Sequence, residues 1–316
     1  MARPLLLDCD TGIDDTLALA YLLADPGTEL VAVTTVSGNT SADQAARNTL
    51  DLLGMAGRRD VAVAVGAHDP LHGRFAGGAP HVHGENGVAG LALPRSAVEP
   101  VPMPAAELIV RTARAHAGRL HLLAIGPLTN LATALALDPD LPSLVAEVTV
   151  MGGAALVPGN ITPVAEANVY NDPEAAAAVL AAPWPVTLVA MDATMPQRLE
   201  EADRQRLLDE GGPVARAAAE MLAHYFGFYE PMLGRRCCPI HDPTAAAVAT
   251  GAVTPNPAPV VRVEVETGTG PARGQVICDL RGVHTGYPAQ PGAHVRVVLG
   301  IEGRFADLLV ERVRTV

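Results

Sequence analysis

The chain has 316 residues, 49% of them hydrophobic and 18% charged, with a formal net charge of −12. That much apolar sequence excludes disorder and suffices for a large core, and an acidic balance with no basic stripe excludes nucleic acid as a partner. All 22 basic residues are arginine, so Schiff-base chemistry and a Walker-type phosphate loop, which need an amine, are excluded as well.

In chain order, Leu5 to Leu7 read as a short buried strand, Gly12 as a turn and Asp15 to Leu23 as a helix. A strand over 29–36, a helix over 42–53 and a strand over 61–65 follow, then a Gly, His and Pro-rich loop over 66–95. The pattern continues with a helix over 105–116, a strand over 120–125, a helix over 127–136 and a strand over 147–151. A helix over 173–181 leads to a strand over 186–190, and a long helical stretch fills 200–231. Asp242-Pro243 reads as the start of a helix over 244–250. Three strands (260–266, 274–280 and 294–300) and a helix over 305–313 close the chain.

This alternation predicts an α/β fold: one domain over 1–316, doubly wound, with a mostly parallel central sheet flanked by helices and antiparallel edge strands from the C-terminal part. The longest apolar stretch, 175–191, is broken by Pro183 and Pro185 and is expected to be a helix followed by a strand, not a membrane span. Met1-Ala2-Arg3-Pro4 runs straight into the first strand and leaves no room for a signal peptide. Cys9, Cys237, Cys238 and Cys278 show no zinc or redox spacing, so a reduced, cytoplasmic protein is expected.

Chemistry concentrates at the end of the first strand, where Asp8, Asp10, Asp14 and Asp15 occupy eight positions. In an open α/β sheet that strand-to-helix loop lies at the ligand-binding edge. Carboxylates so close together raise one another's pKa unless a cation neutralises them, which points to a metal. Helix capping by Asp14 and Asp15 is the competing explanation. An EF-hand fails, because counting from Asp8 the sixth position is Ile13 and the twelfth Leu19. A phosphotransferase of the haloacid dehalogenase type fails for want of a lysine. The other predicted strands end in Ser37-Gly38-Asn39, Ile125-Gly126-Pro127, Met151-Gly152-Gly153 and Asp192, and parallel strands would bring these ends into one pocket with Asp10.

Asp8-Cys9-Asp10-Thr11-Gly12-Ile13-Asp14-Asp15 resembles the N-terminal motif of the calcium-dependent nucleoside hydrolases of the inosine-uridine-preferring family. The resemblance continues in order through Val36-Ser37-Gly38-Asn39, His83-Gly84-Glu85-Asn86-Gly87, Gly126-Pro127-Leu128-Thr129-Asn130, Met151-Gly152-Gly153, Asn160 with Glu166-Ala167-Asn168, and Pro239-Ile240-His241-Asp242-Pro243. It implies a Ca2+ ion held by Asp10, Asp15, Asp242 and the backbone carbonyl of Ile125. It also implies a metal-held water, deprotonated by Asp10, that attacks the anomeric carbon, while His241 protonates the leaving base. All of these donors are oxygens, which suits Ca2+.

Cleaving an N-glycosidic bond needs negative charge beside an oxocarbenium-like sugar, a nucleophile and a proton for the leaving base. Asp14 and Glu166 supply charge. Asn39, Met151, Asn160, Glu166 and Asn168 are the substrate contacts expected around the ribose. His83, Tyr225 and Tyr229 are the candidates for the base; the two tyrosines stand four apart, on one helical face. Two departures from the family pattern are Ala167, where many members carry a bulky aromatic, and Thr11, where proline is usual, and the first leaves purine versus pyrimidine preference open. The resemblance further implies a homodimer or homotetramer acting on a nucleoside, with no nucleic acid polymer and no membrane involved. A glycosidase acting on another ribosyl compound and a noncatalytic Ca2+-dependent nucleoside or ribose binder are the alternative readings.

Overall fold

Leu5, Leu6 and Leu7 have no solvent exposure, as a strand covered on both faces requires. They belong to β1 (Arg3–Cys9), followed by α1 (Ile13–Ala24), β2 (Thr28–Thr35), α2 (Ala42–Met55) and β3 (Ala62–Val65) in a computed structural model that describes residues 2–316. Next come α3 (Pro80–His83), α4 (Ala105–Ala115), β4 (Leu120–Ala124), α5 (Thr129–Leu137), α6 (Leu141–Leu144), β5 (Val145–Met151), α7 (Ala167–Asn171), α8 (Pro173–Ala181) and β6 (Val186–Val189). The third section holds α9 (Met191–Thr194), β7 (Arg198–Glu200), α10 (Glu201–Glu210), α11 (Pro213–Leu233), β8 (Cys237–Pro239) and α12 (His241–Thr250). The tail supplies β9 (Val260–Val261), β10 (Val263–Val265), β11 (Val276–Cys278), β12 (Val295–Val298) and α13 (Ala306–Val313).

Eight strands form one sheet in the order β3-β2-β1-β4-β5-β6-β12-β9, parallel throughout except where β9 pairs antiparallel with β12. Alternate side chains of β1 go to opposite faces. Leu5, Leu7 and Cys9 pack with α1, α2, α11, α12 and α13, whereas Leu6 packs with α4, α5 and α8. Strands are added outward from β1 to β3 on one side and from β4 to β6 on the other, so the order of winding reverses between the parallel neighbours β1 and β4, which makes the carboxyl ends of those two strands the topological switch point. Among the described residues no helix is long and apolar enough to cross a membrane.

Several expected boundaries move, each for a local reason. The first helix begins at Ile13 instead of Asp15, because the Asp15 carboxylate reaches back to accept the Gly12 N–H and so caps the turn before it. The stretch over 200–231 is two helices, divided at Gly211-Gly212. A Cβ at Gly211 would stand 2.2 Å from the Leu207 carbonyl oxygen, and Pro213 opens the second helix at the position where a missing N–H costs nothing. The helix placed at 244–250 starts at His241, with Pro243 accommodated in its first turn. The loop over 66–95 contains the single turn α3.

The tail differs most. β12 runs parallel to β6, so only Val260–Val261 is an antiparallel edge, and β10 with β11 makes a separate two-stranded pair. The small β7–β8 pair and the short helices α6, α7 and α9 had no expectation attached.

Candidate active site

At the switch point β1 hands over to a tight turn whose backbone is organised by one carboxylate. Asp15 accepts the Asp10 N–H at 3.1 Å through Oδ1 and the Gly12 N–H at 2.8 Å through Oδ2. Gly12 is needed there, since a Cβ would stand 2.6 Å from His83 Nδ1 and 2.7 Å from Asn39 Nδ2. Capping and membership of the carboxylate cluster are thus compatible: the Asp15 side chain that caps α1 also offers an oxygen to the cluster.

The neighbouring carboxylates are buried and under-satisfied. Asp10 Oδ2 accepts the Asn39 N–H at 2.6 Å, and Asn39 Nδ2 donates to Asp15 Oδ2 at 3.1 Å. Asp10 Oδ1 and Asp14 Oδ1 are buried with no hydrogen-bond partner. One carboxylate oxygen each of Asp14, Asp15 and Asp242 lies within 4.8 Å of the others. Burial first, and then the charge of Asp15, lifts the Asp14 carboxyl to about 7. The same two causes raise Asp10, while desolvation with the charges of Asp14, Asp15 and Asp10 raises Asp242. Two orphaned oxygens in a buried, all-oxygen donor set fit a hard cation. This triad contains Asp14 where the resemblance places Asp10. Asp14 lines the cavity, whereas Asp10 is absent from its lining and keeps a buried oxygen without a partner.

The flanking strand ends close over this floor. A Cβ on Gly38 would stand 2.0 Å from Asp10 Oδ2 and 2.8 Å from Pro127 Cδ, and one on Gly126 would stand 3.0 Å from Asp10 Oδ1. Gly38→Ala is therefore expected to displace the Asp10 carboxylate and, with the ion held there as the resemblance implies, to weaken Ca2+ affinity by about tenfold or more, the scale seen when a ligand's support is lost, which titration calorimetry would read. An unchanged affinity would mean that Asp10 does not hold the ion. Behind Asp10, Asp8 Oδ1 accepts from Thr34 Oγ1 at 2.6 Å and Asn130 Nδ2 at 2.8 Å, tying β1 to β2 and α5.

The Ile125 carbonyl accepts the side-chain amide of Asn168 at 2.8 Å, and Met151 offers its own carbonyl to the same amide at 3.2 Å. Asn168 is held by α7, whose N-cap is Glu166. That carboxylate accepts the N–H groups of Asn168, Val169 and Gly153, and burial raises its pKa against their pull. Asn160 stands on the exposed rim, its Oδ1 accepting the Ala167 N–H at 2.9 Å.

Above the floor is a cavity of about 160 Å3 lined by Asp14, Asn39, His83, Ile125, Met151, Asn160, Glu166, Ala167, Asn168, Tyr225, Tyr229, His241 and Asp242. Every expected site residue either lines this cavity or, for Asp10 and Asp15, accepts a hydrogen bond from Asn39 in its lining. Its apolar rim, made by Val82, Ile161, Phe228 and Met232, was missed. Phe228 sits in the aromatic run 225–229, but one helical step decides which ring faces in. Phe226 is fully buried on the other side, with the Arg236 guanidinium over it. A larger cavity of about 210 Å3, walled by His68, Arg74, Phe75 and Arg273, contains none of the expected site residues.

Two histidines face each other across the tyrosines. His83 Nδ1 accepts the Ile13 N–H at 3.1 Å, so its Nε2 carries the ring proton, and burial lowers its pKa to about 3. His241 Nδ1 lies 2.7 Å from Thr194 Oγ1 and its Nε2 lies 3.4 Å from the Tyr229 hydroxyl; burial lowers this ring to about 4. Tyr225 packs 5.5 Å from His83 and meets Tyr229 edge-on at 5.0 Å. The cavity thus brings buried carboxylates together with aromatic rings and imidazoles, Asp14 Oδ1 standing 4.0 Å from His83 Nδ1, a mixture suited to a polar sugar joined to a planar base.

Comparison with known proteins follows the same division. The family described as inosine-uridine preferring nucleoside hydrolase matches residues 5–306. The pyrimidine-specific ribonucleoside hydrolase RihA of Salmonella paratyphi B (strain ATCC BAA-1250 / SPB7) is 37% identical over 317 residues, covering 99% of each chain. Among solved structures, a plant nucleoside hydrolase, PpNRh1, aligns with a TM-score of 0.92 at 28% identity over 99% of both chains. The purine-preferring ribonucleoside hydrolase from Gardnerella vaginalis aligns with a TM-score of 0.90 at 29% identity, over 99% of this chain and 98% of that one.

Proposed function

The chain belongs to the inosine-uridine preferring nucleoside hydrolase family, and from that premise we propose a Ca2+-dependent ribonucleoside hydrolase that prefers pyrimidine bases. The observation that carries the reaction is the pair of orphaned, buried oxygens on Asp10 and Asp14 at a cavity that His241 and Tyr229 also line. Pyrimidine preference is supported by the curated relatives, named pyrimidine-specific at 37% identity, above the 29% of the purine-preferring structure.

Asp10, Asp15, Asp242 and the Ile125 carbonyl would hold the ion. When bound, Ca2+ supplies Lewis acidity and a positive charge for the ribose hydroxyls. Asp10 Oδ1, free of other partners, takes a proton from the attacking water. Asn39, Asn168, Met151 and Asn160 orient the sugar, and the charges of Asp14 and Glu166 stabilise the oxocarbenium-like transition state. His83, Tyr225, Phe228 and Tyr229 enclose the base. As the bond from the anomeric carbon to the base nitrogen breaks, its electron pair passes to the base, which accepts a proton from His241.

The chain's expected setting is a homodimer or homotetramer acting on free nucleosides, carried over from the resemblance, in the cytoplasm suggested by cysteines without zinc or redox spacing. The test is release of free ribose from uridine, cytidine, inosine and adenosine by protein stripped of metal and then resupplied with Ca2+. Ca2+-dependent release, fastest with uridine or cytidine, is expected. Faster purine cleavage would overturn the base preference, and Ca2+-dependent binding without release would overturn the hydrolase reading.

The cluster also sets how stability depends on pH. Asp14 stands near 7, so in metal-free protein its contribution is fully present below about 4 and is lost as pH rises through about 7, and the raised Asp10, Asp15 and Asp242 act in the same direction. The metal-free protein should therefore melt at a lower temperature at pH 8 than at pH 5.5. Because Ca2+ favours the ionised carboxylates, its Kd should be lower at pH 8, so at one fixed Ca2+ concentration the stabilisation it gives, about 2.7 kcal/mol where that concentration is about 100 times Kd, should be larger at pH 8 than at pH 5.5. An equal or smaller increment at pH 8 would contradict the cluster as the ion's site.

A further inference from the structure

We propose that Thr194 is a positioning residue that tethers the His241 ring so that Nε2, and not a carbon, faces the departing base. The inference rests on the reading of His241 as the proton donor. Thr194 ends α9, just beyond β6, whereas His241 opens α12, so the contact joins two elements 47 residues apart in sequence. Thr194 has no solvent exposure, and its hydroxyl lies 2.7 Å from His241 Nδ1.

An imidazole turned by 180° about its Cβ–Cγ bond exchanges Nδ1 with Cδ2 and Nε2 with Cε1. A flipped ring would present a carbon to the base and could transfer no proton. Two contacts resist the flip, and they are unequal. The Tyr229 hydroxyl is 3.4 Å from Nε2, at the long limit of a hydrogen bond, and it faces the cavity where substrate competes for Nε2. The Thr194 contact is short, fully buried and on the side away from the base, so it persists when substrate enters. A donor through Nε2 keeps its other proton on Nδ1 before and after transfer, and the hydroxyl oxygen accepts that N–H in both states. Being neutral, the hydroxyl orients the ring without adding a charge beside Asp242.

Thr194→Val keeps the shape and removes the hydroxyl, and Thr194→Ser keeps the hydroxyl. With uridine, T194V is expected to lower kcat by about 10- to 100-fold, the scale of a misplaced reacting group, with KM within about threefold of the parent. With p-nitrophenyl β-D-ribofuranoside, whose leaving group departs as a stable phenolate, T194V should stay within about threefold of the parent, and T194S should restore uridine cleavage to about the same margin. Equal losses on both substrates, or no loss on uridine, overturn the proposal. Should T194V fail to fold, T194A against T194S reads the same contrast, with a thermal melt and Ca2+ calorimetry on each variant. His241→Ala run alongside separates the two claims. A contrast in H241A without one in T194V defeats the role of Thr194 alone, whereas no contrast in H241A defeats the proton-donor reading and the tether with it.

Discussion

Asp10→Asn is expected to lower kcat/KM on uridine by about 10³-fold or more, because it removes a general base and weakens the cation site in one substitution. Asparagine has the same shape and keeps an oxygen for the Asn39 N–H, so the 2.6 Å bond that anchors this side chain survives and the turn before α1 stays intact. What is lost is the charge and the basicity of the buried Oδ1. Calorimetry with Ca2+ and a kinetic series at saturating Ca2+ separate the two contributions. A variant that regained full activity at high Ca2+ would show that Asp10 holds the ion but takes no proton. A D10N enzyme within about tenfold of the parent at all Ca2+ concentrations would remove Asp10 from both roles.

His241→Ala should cost about 10²- to 10⁴-fold on uridine or cytidine, the usual range for a lost general acid. A riboside with a p-nitrophenolate leaving group needs no proton and should lose little. The pKa of the free ring adds a second signature. Burial holds His241 near 4, so the protonated fraction grows as pH falls towards that value. The ratio of kcat/KM for uridine to that for the activated riboside should accordingly rise as pH is lowered from 8 to 6 in the parent enzyme. In H241A the ratio should lose that slope. A ratio independent of pH in both proteins would assign the proton to another group, and the Tyr229 hydroxyl 3.4 Å away would be the next to replace.

The floor of this site was legible in the sequence because it is written contiguously. Asp10, Gly12, Asp14 and Asp15 occupy one strand-to-helix turn, and carboxylates at that spacing have few structural uses that would bury them together. The sheet was legible for the same kind of reason: strands buried on both faces carry short runs rich in Leu and Val, Leu5 to Leu7 in β1 and Val186-Thr187-Leu188-Val189 in β6. Chain direction in the tail was not. Val295–Val298 has the same composition whether it pairs parallel or antiparallel, and only the sheet order places it against β6. The division between α10 and α11 was present as Gly211-Gly212-Pro213, but helical periodicity on either side masked it. Thr194 gave no signal at all. Threonine is common, and its meaning comes from the fold bringing the end of α9 to the start of α12.

The floor and the rim of the cavity answer to different constraints. Asp10, Asp15 and the Gly38 and Gly126 backbones are packed so closely that a single added carbon crowds the Asp10 carboxylate, and hydrogen bonds tie Asp10 to Asp15 and to Asn39 beyond the end of β2. Ile161 and Met232, by contrast, are more than half exposed and touch the cavity only with their inner edges. Exchanges at such exposed positions usually change stability by no more than about 0.5 kcal/mol. Drift at the rim can therefore alter which base is accepted while the reacting centre stays unchanged. A lineage built this way can contain pyrimidine-specific and purine-preferring enzymes on one backbone without passing through an unstable intermediate.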